Sequence, residues 1–435
     1  GGGLRRARRS IPRASQAPVT TAASVRSESS PTRLEARISR GLRALGFDPW
    51  LLVLVVVMIS FGLVMVYSAS WDVSWRITQD PNALFRRQLA NLGIGLIAMF
   101  VAARMPLGWL RRLALPIMLF SMFALLAVLV LNVGGGPRRA FLGGSIQPSE
   151  MAKLAVILYL AVWMESKGER LSEWGYGFLP LMTLIGISGG LILLQPDLSA
   201  VLTLAVVALT MFYLAGARLS QSVLITSGST VVGYLLVRLT NTGRERWADY
   251  LAGLVDIERA SYHVQHSLQA FYTGGLLGRG LGASREKFGL LPAPHTDSIF
   301  SVIGEELGLL GALLVVALFV LLLWRGFKIA AQADDRLAML IASGVTFWIC
   351  LEAMINMSVL LGLLPFAGNA LPLFSYGGSS LVTTLAGVGF LLNVSRRMPL
   401  DFGSESHVST IGIGWGHRRR RVSRLGRRAR PRRES

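Results

Sequence analysis

The sequence has a single cysteine in 435 residues and few charged residues for its length. Because Cys350 lies inside an apolar run, the chain can form neither an internal disulfide nor a thiolate metal cluster. Charged residues make up 16% of the chain and hydrophobic residues 52%, with a mean hydropathy of +0.52. This apolar share exceeds that of ordinary soluble domains, so the composition predicts an integral membrane protein.

Several enzyme motifs are also missing from the sequence. There is no P-loop, no H-E-x-x-H, and no G-x-G-x-x-G pattern placed after a strand. The segment "GRGLGAS", residues 278–284, is rich in glycine but follows no strand. We therefore interpret its glycines as turn residues and not as a phosphate-binding loop.

Ten apolar runs are each about long enough for a transmembrane helix, which needs roughly twenty mostly apolar residues. They cover about 49–70, 87–104, 113–132, 149–165, 177–195, 198–215, 221–240, 299–324, 337–363 and 376–394. The first run follows a long Arg-rich segment, which favours a retained span over a cleaved signal peptide. The sequence thus predicts an all-α polytopic membrane protein with ten transmembrane helices and one large extracytoplasmic loop, residues 241–298, between helices 7 and 8.

The formal net charge of +20 is concentrated in the two ends of the chain. Residues 1–48 carry ten Arg and three acidic residues, and residues 396–435 carry twelve Arg and three acidic residues. Both ends are rich in Ser, Gly and Pro, a composition that predicts disordered tails around a membrane domain, residues 49–395. We interpret the tails as cytoplasmic anchors attracted to anionic lipid, in preference to a nucleic-acid-binding role. The opening glycines without a methionine suggest an added or incomplete start.

The loop charges predict the orientation of the chain, because Lys and Arg concentrate in cytoplasmic loops. With both tails in the cytoplasm, nine Lys and Arg fall in inner loops and five in short outer loops. The inner set is Arg104, Arg111, Arg112, Lys167, Arg170, Arg218, Arg325, Lys328 and Arg336. The outer set is Arg76, Arg86, Arg87, Arg138 and Arg139. We therefore expect both termini in the cytoplasm and the large loop outside.

Three short polar patterns stand at the predicted outer ends of the runs, and each has a local explanation. Glu150 and Lys153 lie three apart on one helical face and could simply neutralise each other. Asp197 follows a helix-breaking proline and can cap the next helix. The segment "LPLFSYGGSSL", residues 371–381, offers small residues that permit close helix packing.

A fourth polar stretch, "PHTDSIFSVIGEELG" at residues 294–308, adds Asp297, Glu305 and Glu306 on the same predicted side. Ionisable residues at membrane depth are costly and commonly face a cavity or a partner. Because all four patterns fall on one side, we expect a water-accessible outward cavity lined by them. For Glu305 and Glu306 two roles stay open: cavity-facing helpers, or buried partners of a Lys or Arg.

The order and wording of these motifs resemble the SEDS family of bacterial shape, elongation, division and sporulation proteins. The matching segments are "GLVMVYSAS" (62–70), "PRRAFLGGSIQPSEMAK" (137–153), "QPDLS" (195–199), "GGLLGRGLGASREKFGLLPAPHTDSIFSVIGEELGLLG" (274–311) and "LPLFSYGGSSL" (371–381). The resemblance covers nearly everything between the tails. It implies a peptidoglycan glycosyltransferase that polymerises lipid II into glycan strands at the outer face of the bacterial cytoplasmic membrane.

The resemblance also assigns residues. It implies that Asp297, of the H-T-D motif, is the catalytic carboxylate and general base. The candidate substrate-binding residues are Glu150, Lys153, Arg138, Arg139, His295, Thr296, Glu305, Glu306, Ser375, Tyr376, Gly377, Gly378, Ser379 and Ser380. Of these, Lys153 with Arg138 or Arg139 is expected to hold the pyrophosphate, and Glu150 is expected to orient or tune Lys153. No cofactor or metal-ligand cluster is evident, although a divalent cation could assist.

The expected partners are lipid II, the growing glycan strand, a class B penicillin-binding protein, other division proteins and membrane lipids, with no nucleic acid. The long charged tails resemble the division-type members more than the rod-shape elongation members, which predicts a septal location. The chain departs from the family pattern at Ser298, where Phe is usual, at His263 and His266, where Gln is usual, and at Ala140, where an aromatic is common. These departures bear on the acceptor side of the site and not on Asp297.

Two other functions compete with polymerisation. A polytopic protein with intramembrane carboxylates could instead move lipid II across the membrane, which would be indicated by polar residues through the full depth or by an inverted repeat. No repeat is visible in the sequence, and the inner halves of the runs are almost purely apolar. A non-catalytic scaffold for a transpeptidase is the third reading, but a scaffold alone would not require Asp297.

Overall fold

The computed structural model describes residues 46–131, 147–195 and 197–397, apart from some side chains between 219 and 239. Every regular element among these residues is helical, which confirms the predicted all-α class. The predicted disorder of the tails concerns residues that lie mostly outside this described part. Residues 132–146, between α3 and α4, also lie outside the described part.

Twelve α-helices follow one another in the described residues. They are α1 Pro49–Thr78, α2 Ala83–Arg104, α3 Leu107–Leu131, α4 Pro148–Lys167, α5 Leu179–Leu193, α6 Leu198–Leu214, α7 Leu219–Leu239, α8 Asn241–Val255, α9 Tyr262–Gly274, α10 Ile299–Ala331, α11 Arg336–Leu360 and α12 Gly378–Ser395. A 3₁₀ turn at Gly168–Ser172 and a π-helical turn at Trp174–Phe178 precede α5. Each of the ten predicted apolar runs coincides with one of these helices.

Seven helices of the described residues are long and apolar enough to cross a membrane. They are Pro49–Thr78, Ala83–Arg104, Leu107–Leu131, Trp174–Leu193, Ile299–Ala331, Arg336–Leu360 and Gly378–Ser395. The other three predicted runs coincide with α4, which carries charged residues at both ends, with α6, which has 17 residues, and with α7. Large apolar side chains such as Ile97, Phe120 and Phe123 point outward, which suits a lipid surround. The chain is an integral membrane protein.

The helix α11 lies at the centre of the packing. In its most apolar stretch 83% of the residues are buried, against 17% for α2. It packs against α4, α6, α10 and α12. On the other side of α12, Gly389 meets α2 so closely that an added Cβ would overlap the Met99 carbonyl oxygen. Small residues thus permit the close helix approach that membrane proteins use in place of a hydrophobic driving force.

The predicted large loop between α7 and α10 contains two helices, α8 and α9, and then returns into α10. The predicted run 299–324 lies within α10, whose backbone is non-helical at Gly308, with φ 68°. The reason is a long-range contact: the loop supplies the hydrogen bonds that the break removes, from Leu309 N–H to the Gly275 carbonyl at 2.9 Å and from Arg279 N–H to the Glu305 carbonyl at 3.0 Å. The loop is therefore fixed to the membrane part of the chain.

Candidate active site

The His-Thr-Asp turn, residues 295–297, is held in place by hydrogen bonds that other parts of the chain donate to its three backbone carbonyls. The Tyr376 N–H donates to the first of the three at 2.8 Å, and the Ser375 hydroxyl donates to the second at 2.7 Å. The Asn356 side-chain amide donates to the third at 2.8 Å. Three consecutive carbonyls are thus bound by α11 and by the segment between α11 and α12, which leaves little freedom for the backbone that carries Asp297.

The Asp297 side chain is half-buried at the beginning of α10. Its carboxylate approaches Gly368 so closely that an added Cβ there would lie 2.9 Å from Asp297 Oδ2. The next residue, Ser298, is buried, and its hydroxyl donates to the Pro292 carbonyl at 2.9 Å. Serine at this departure from the family pattern therefore closes the turn that precedes α10.

A buried charge cluster lies on α4 and α11. Lys153 Nζ contacts Glu150 Oε1 at 2.9 Å and also forms an ion pair with Glu352. The exposed fractions of the three side chains are 5%, 14% and 7% in that order. The Lys153 ammonium also lies 5.8 Å from the centre of the Trp348 ring. The predicted local Glu–Lys pair is therefore present, but a second carboxylate from another helix completes it.

The charge cluster and the Asp297 backbone contact the same helix one turn apart. Glu352, which pairs with Lys153, and Asn356, which binds the Asp297 carbonyl, are four residues apart on α11, about 6 Å along its axis. Asn369 links them, because its carbonyl accepts from the Asn356 amide at 2.6 Å and its own amide donates to the Glu352 carbonyl at 3.0 Å. One short polar network therefore connects Lys153 to the turn that carries Asp297.

The Ser-Tyr-Gly-Gly-Ser-Ser segment, residues 375–380, joins this network to α4. Ser379 Oγ accepts from the Gln147 N–H at 3.0 Å, just before α4 begins. Gln88 of α2 binds the segment twice, through the Ser375 carbonyl at 3.2 Å and the Gly377 N–H at 3.3 Å. Gly378 begins α12, and Ser380 lies in its first turn. The structure therefore brings the predicted residues of this segment together with the His-Thr-Asp turn.

Asp197 caps a helix and also binds a residue of the polar network. Its Oδ1 accepts from the Ala200 N–H at 3.2 Å and so caps α6, as expected from the sequence. Its Oδ2 accepts from the Gln147 amide at 3.0 Å. Since Gln147 also binds Ser379, the cap of α6 is tied to the network that leads to α12.

Glu305 lies in a separate cluster, where it organises the large loop. Its side chain is completely buried. It accepts hydrogen bonds from the backbone N–H groups of Arg285 at 2.9 Å and Glu286 at 3.3 Å and from the Ser284 hydroxyl, and it lies 3.5 Å from Arg279 Nη1. A buried carboxylate with this many donors fixes the loop on α10.

Glu306 is equally buried and joins three parts of the chain. Its Oε1 lies 2.7 Å from Lys287 Nζ of the loop, and the Ser68 hydroxyl of α1 donates to it at 2.7 Å. Lys287 also donates to the Gly282 carbonyl at 2.9 Å. Of the two roles left open for this Glu pair, the contacts are those of buried partners of a cation. Direct contact of either carboxylate with a substrate stays a prediction.

Two predicted residues, Arg138 and Arg139, lie outside the described residues. Within residues 46–131, 147–195 and 197–397 there is no group of three or more His, Cys, Asp or Glu side chains that could hold a metal ion. The predicted role of Lys153 with pyrophosphate stays a prediction.

Sequence reasoning missed Glu352, Asn356, Asn369, Gln88 and Lys287. The signal for Glu352 was present, because an acidic residue in the middle of an apolar run is a functional candidate by itself. The signal for the two asparagines was weak, since their importance lies in which distant backbone groups they bind. Glu352 adds the second carboxylate to Lys153, and this changes the electrostatics expected of the site.

Burial lowers the pKa of His295 to about 4, so the imidazole beside Asp297 is neutral at physiological pH. Its Nδ1 is buried and has no hydrogen-bond partner among the described residues. Between pH 6.5 and about 4 the unfolded chain binds a proton that the folded chain does not, so folding stability falls as the pH falls through this window.

We expect a His295→Gln variant to lose less stability than the wild type on acidification, because Gln cannot take up this proton. The difference between the two proteins should grow from pH 7 to pH 4 and reach at most about 3 kcal/mol. Chemical unfolding of the purified proteins in detergent at several pH values measures it. Parallel stability curves across this window would contradict the expectation.

The close approach at Gly368 gives a second expectation. A methyl group there would displace the Asp297 carboxylate, since 2.9 Å is shorter than side-chain contacts allow. For the expected polymerisation of lipid II, Gly368→Ala should lower kcat about tenfold or more and change KM little. The reason is that a displacement of about 1 Å can cost two orders of magnitude in rate. Gly190→Ala is the matched control, since a Cβ there meets nothing within 4 Å. Equal kcat in both variants would show that this contact does not position the carboxylate.

Comparison with known proteins identifies the family. The family model FTSW_RODA_SPOVE, described as cell cycle protein, matches residues 49–399. The chain belongs to the SEDS family. This confirms the resemblance predicted from the motifs, and the SEDS match begins and ends within a few residues of the predicted membrane domain.

Relatives of this SEDS chain include a probable peptidoglycan glycosyltransferase FtsW of Geobacter metallireducens, which is 38% identical over 357 residues. That alignment covers 81% of this chain and 95% of the relative. Stage V sporulation protein E of Bacillus subtilis is 37% identical over 358 residues, or 80% of this chain and 97% of that protein.

Solved structures share the SEDS fold. A rod shape determining protein RodA of Thermus thermophilus is 30% identical, with a TM-score of 0.60, covering 82% of this chain and 98% of that one. A chain from a structure described as "Structural coordination of polymerization and crosslinking by a peptidoglycan synthase complex" is also 30% identical, with a TM-score of 0.65 and coverages of 82% and 99%.

Proposed function

We propose that this SEDS chain is a peptidoglycan glycosyltransferase that polymerises lipid II at the outer face of the bacterial cytoplasmic membrane, during cell division. The observation that carries the proposal is the polar network on α11, which ties the Asp297 turn and the Lys153 ion cluster to residues one helical turn apart. A half-buried carboxylate near a buried cation suits proton removal on one side and a departing anion on the other.

In the proposed reaction Asp297 takes the proton of the GlcNAc 4-hydroxyl of one substrate. The hydroxyl oxygen bonds to the anomeric carbon of MurNAc in the other substrate, and the bond from that carbon to the pyrophosphate oxygen breaks. The electron pair leaves with the pyrophosphate, whose charge Lys153 stabilises, with Arg138 or Arg139 as further candidates. A single displacement converts the α-linked donor into a β-linked product without a covalent sugar intermediate.

The resting contacts of Lys153 add a condition to this scheme. The ammonium uses two of its three N–H donors on Glu150 and Glu352, and its side chain is only 5% exposed, so a pyrophosphate can reach it only if one of these carboxylates moves aside. We propose that Glu150, the more exposed of the two carboxylates, is the one that yields. Glu352 then keeps Lys153 in position while the substrate anion binds.

The wider arrangement is part of the same proposal. Basic cytoplasmic tails, residues 1–48 and 396–435, flank a membrane domain of ten spans, residues 49–395, whose large loop, residues 241–298, is extracytoplasmic. The proposed partners are a class B penicillin-binding protein and other division proteins, at the septum. The names of the FtsW relatives favour division, whereas one solved structure is named a rod shape determining protein RodA and another comes from a peptidoglycan synthase complex, so a RodA-type elongation role is the alternative.

A transporter is the second candidate, and Glu352 is the observation that favours it, since it places a further charge deep in an apolar run.

Polymerisation is tested by giving lipid II in detergent to the purified protein, with and without a class B penicillin-binding protein. We expect glycan strands whose new linkages are all β. Absence of any polymer from a folded and complexed protein would contradict the proposed polymerase function.

A further inference from the structure

A cavity lies in the large loop beside the segment that carries Gly368. Its volume is about 220 Å³, and it is lined by α8, by the beginning of α9 and by residues 361–366. This is below the roughly 300–1,000 Å³ of pockets that enclose a whole drug-sized molecule. A cavity of this size suits a short portion of a larger ligand.

The lining carries both charge signs. Arg246 and Asp249 lie three apart on α8 and both border the cavity. Positions three apart on a helix share a face, so the two charges are neighbours on the cavity wall. The rest of the wall is largely apolar, with Leu254, Val264 and Leu268 among its residues. A complementary ligand carries a carboxylate and an amine on a short, partly apolar chain.

Aromatic contacts fix the polar groups of this wall. The Arg246 guanidinium lies 5.7 Å from the centre of the Phe366 ring, and the His263 ring stacks on the same ring at 4.1 Å. The Tyr250 hydroxyl donates to the Leu363 carbonyl at 3.1 Å and ties α8 to the segment. Guanidinium groups held on an aromatic face are well suited to bind carboxylates, because their orientation is already set.

One buried polar atom at the cavity lacks a partner. Ser261 precedes α9 and lines the cavity, and its hydroxyl oxygen has no hydrogen-bond partner among the described residues. Its side chain makes no capping bond to α9 either. Buried polar atoms are nearly always satisfied by the chain or by ordered water, so this hydroxyl has the capacity for one further hydrogen bond.

The cavity also lies close to Asp297. Phe366 is two residues before Gly368, and two residues span at most about 7 Å. Gly368 in turn touches the Asp297 carboxylate. The Phe366–Gly368 segment therefore links the cavity wall to the surroundings of the Asp297 carboxylate.

We propose that this cavity binds the peptide of the peptidoglycan precursor, with Arg246 holding a peptide carboxylate and Asp249 a peptide amine. The inference rests on the proposed function and deepens it. That peptide is attached to MurNAc, the sugar whose anomeric carbon reacts, so binding it here orients the sugar toward Asp297. Arg246 and Asp249 are binding residues in this account and take no part in the chemical step.

The test compares two precursors, one with the full peptide and one with a peptide trimmed to its first residues, which lacks the distal amine and carboxylate. For the wild type we expect KM to be about tenfold lower with the full peptide, since bonds to charged groups are worth at least this much. Arg246→Gln and Asp249→Asn should each bring the two KM values together. Arg259→Gln should keep the wild-type ratio, because this Arg is 75% exposed and does not line the cavity.

Each outcome decides between the two proposals. A wild type that polymerises both precursors with equal KM overturns the peptide site alone, whereas a wild type that polymerises neither overturns the proposed function. A wild-type KM ratio in Arg246→Gln also overturns the peptide site, and if that variant binds its transpeptidase partner more weakly, the cavity is a protein-docking site instead. Should Arg246→Gln fail to fold, Asp249→Asn carries the test by itself.

Discussion

Replacement of Asp297 by Asn is expected to reduce the rate of lipid II polymerisation by about 10²–10⁴-fold, the usual contribution of a general base. The amide has the shape of the carboxylate but cannot accept the proton of the attacking hydroxyl. The three carbonyls that fix the turn belong to the backbone, so the substitution leaves their hydrogen bonds intact. KM for lipid II should therefore change little while kcat falls.

Asp256→Asn is the matched control for this variant. Asp256 is also an aspartate of the large loop, with a side chain 44% exposed. Its Oδ1 accepts from the Glu258 N–H at 3.1 Å, a capping bond that Asn can also make. The control should keep wild-type kcat and KM. If Asp297→Asn behaved like this control, another group would have to be the base.

Replacement of Lys153 by Met is expected to destabilise the protein by about 3–5 kcal/mol, the cost of leaving buried charges without a partner. Both Glu150 and Glu352 would lose their common cation, and neither side chain is more than 14% exposed. The measurement is chemical unfolding of the detergent-solubilised variant. Lys328→Met is the control, because Lys328 is exposed, and surface changes of this kind usually fall within about 0.5 kcal/mol.

A double variant separates stability from catalysis at this cluster. Lys153→Met combined with Glu352→Gln removes one cation and one buried carboxylate, and we expect it to recover a large part of the lost stability. We expect no polymerisation by this double variant, since no cation would remain in the cluster for the pyrophosphate. Recovery of activity along with stability would show that Lys153 has a structural role only.

Much of the fold could be predicted because apolar length is a local property. All ten predicted runs coincide with helices, and Asp297 stands one residue before the cap of α10, at the edge of its run as expected. The break at Gly308 could not be predicted in the same way. It depends on hydrogen bonds from a loop about thirty residues earlier in the chain, a contact that no local pattern encodes.

In the candidate site too, the contacts between residues close in sequence could be predicted, and those between distant residues could not. The pair Glu150 and Lys153 is visible as a spacing in the sequence, whereas Glu352 reaches the pair only through the packing of α4 on α11. The network through Asn356 and Asn369 consists of side chains bound to distant carbonyls, so the role of neither residue can be predicted from the sequence around it. For Glu305 and Glu306 the sequence left two roles, and only the partners seen in three dimensions, Lys287 among them, distinguish these roles.

The most direct measurement follows polymerisation and translocation of lipid II in the same vesicles. Wild-type protein and the Asp297→Asn variant, each reconstituted with a class B penicillin-binding protein, would be compared for glycan strands formed and for lipid II appearing on the opposite leaflet. The account predicts polymer from the wild type, almost none from Asp297→Asn, and equal translocation in both at the level of protein-free vesicles. Translocation by the wild type that is lost in Asp297→Asn, without any polymer, would contradict it.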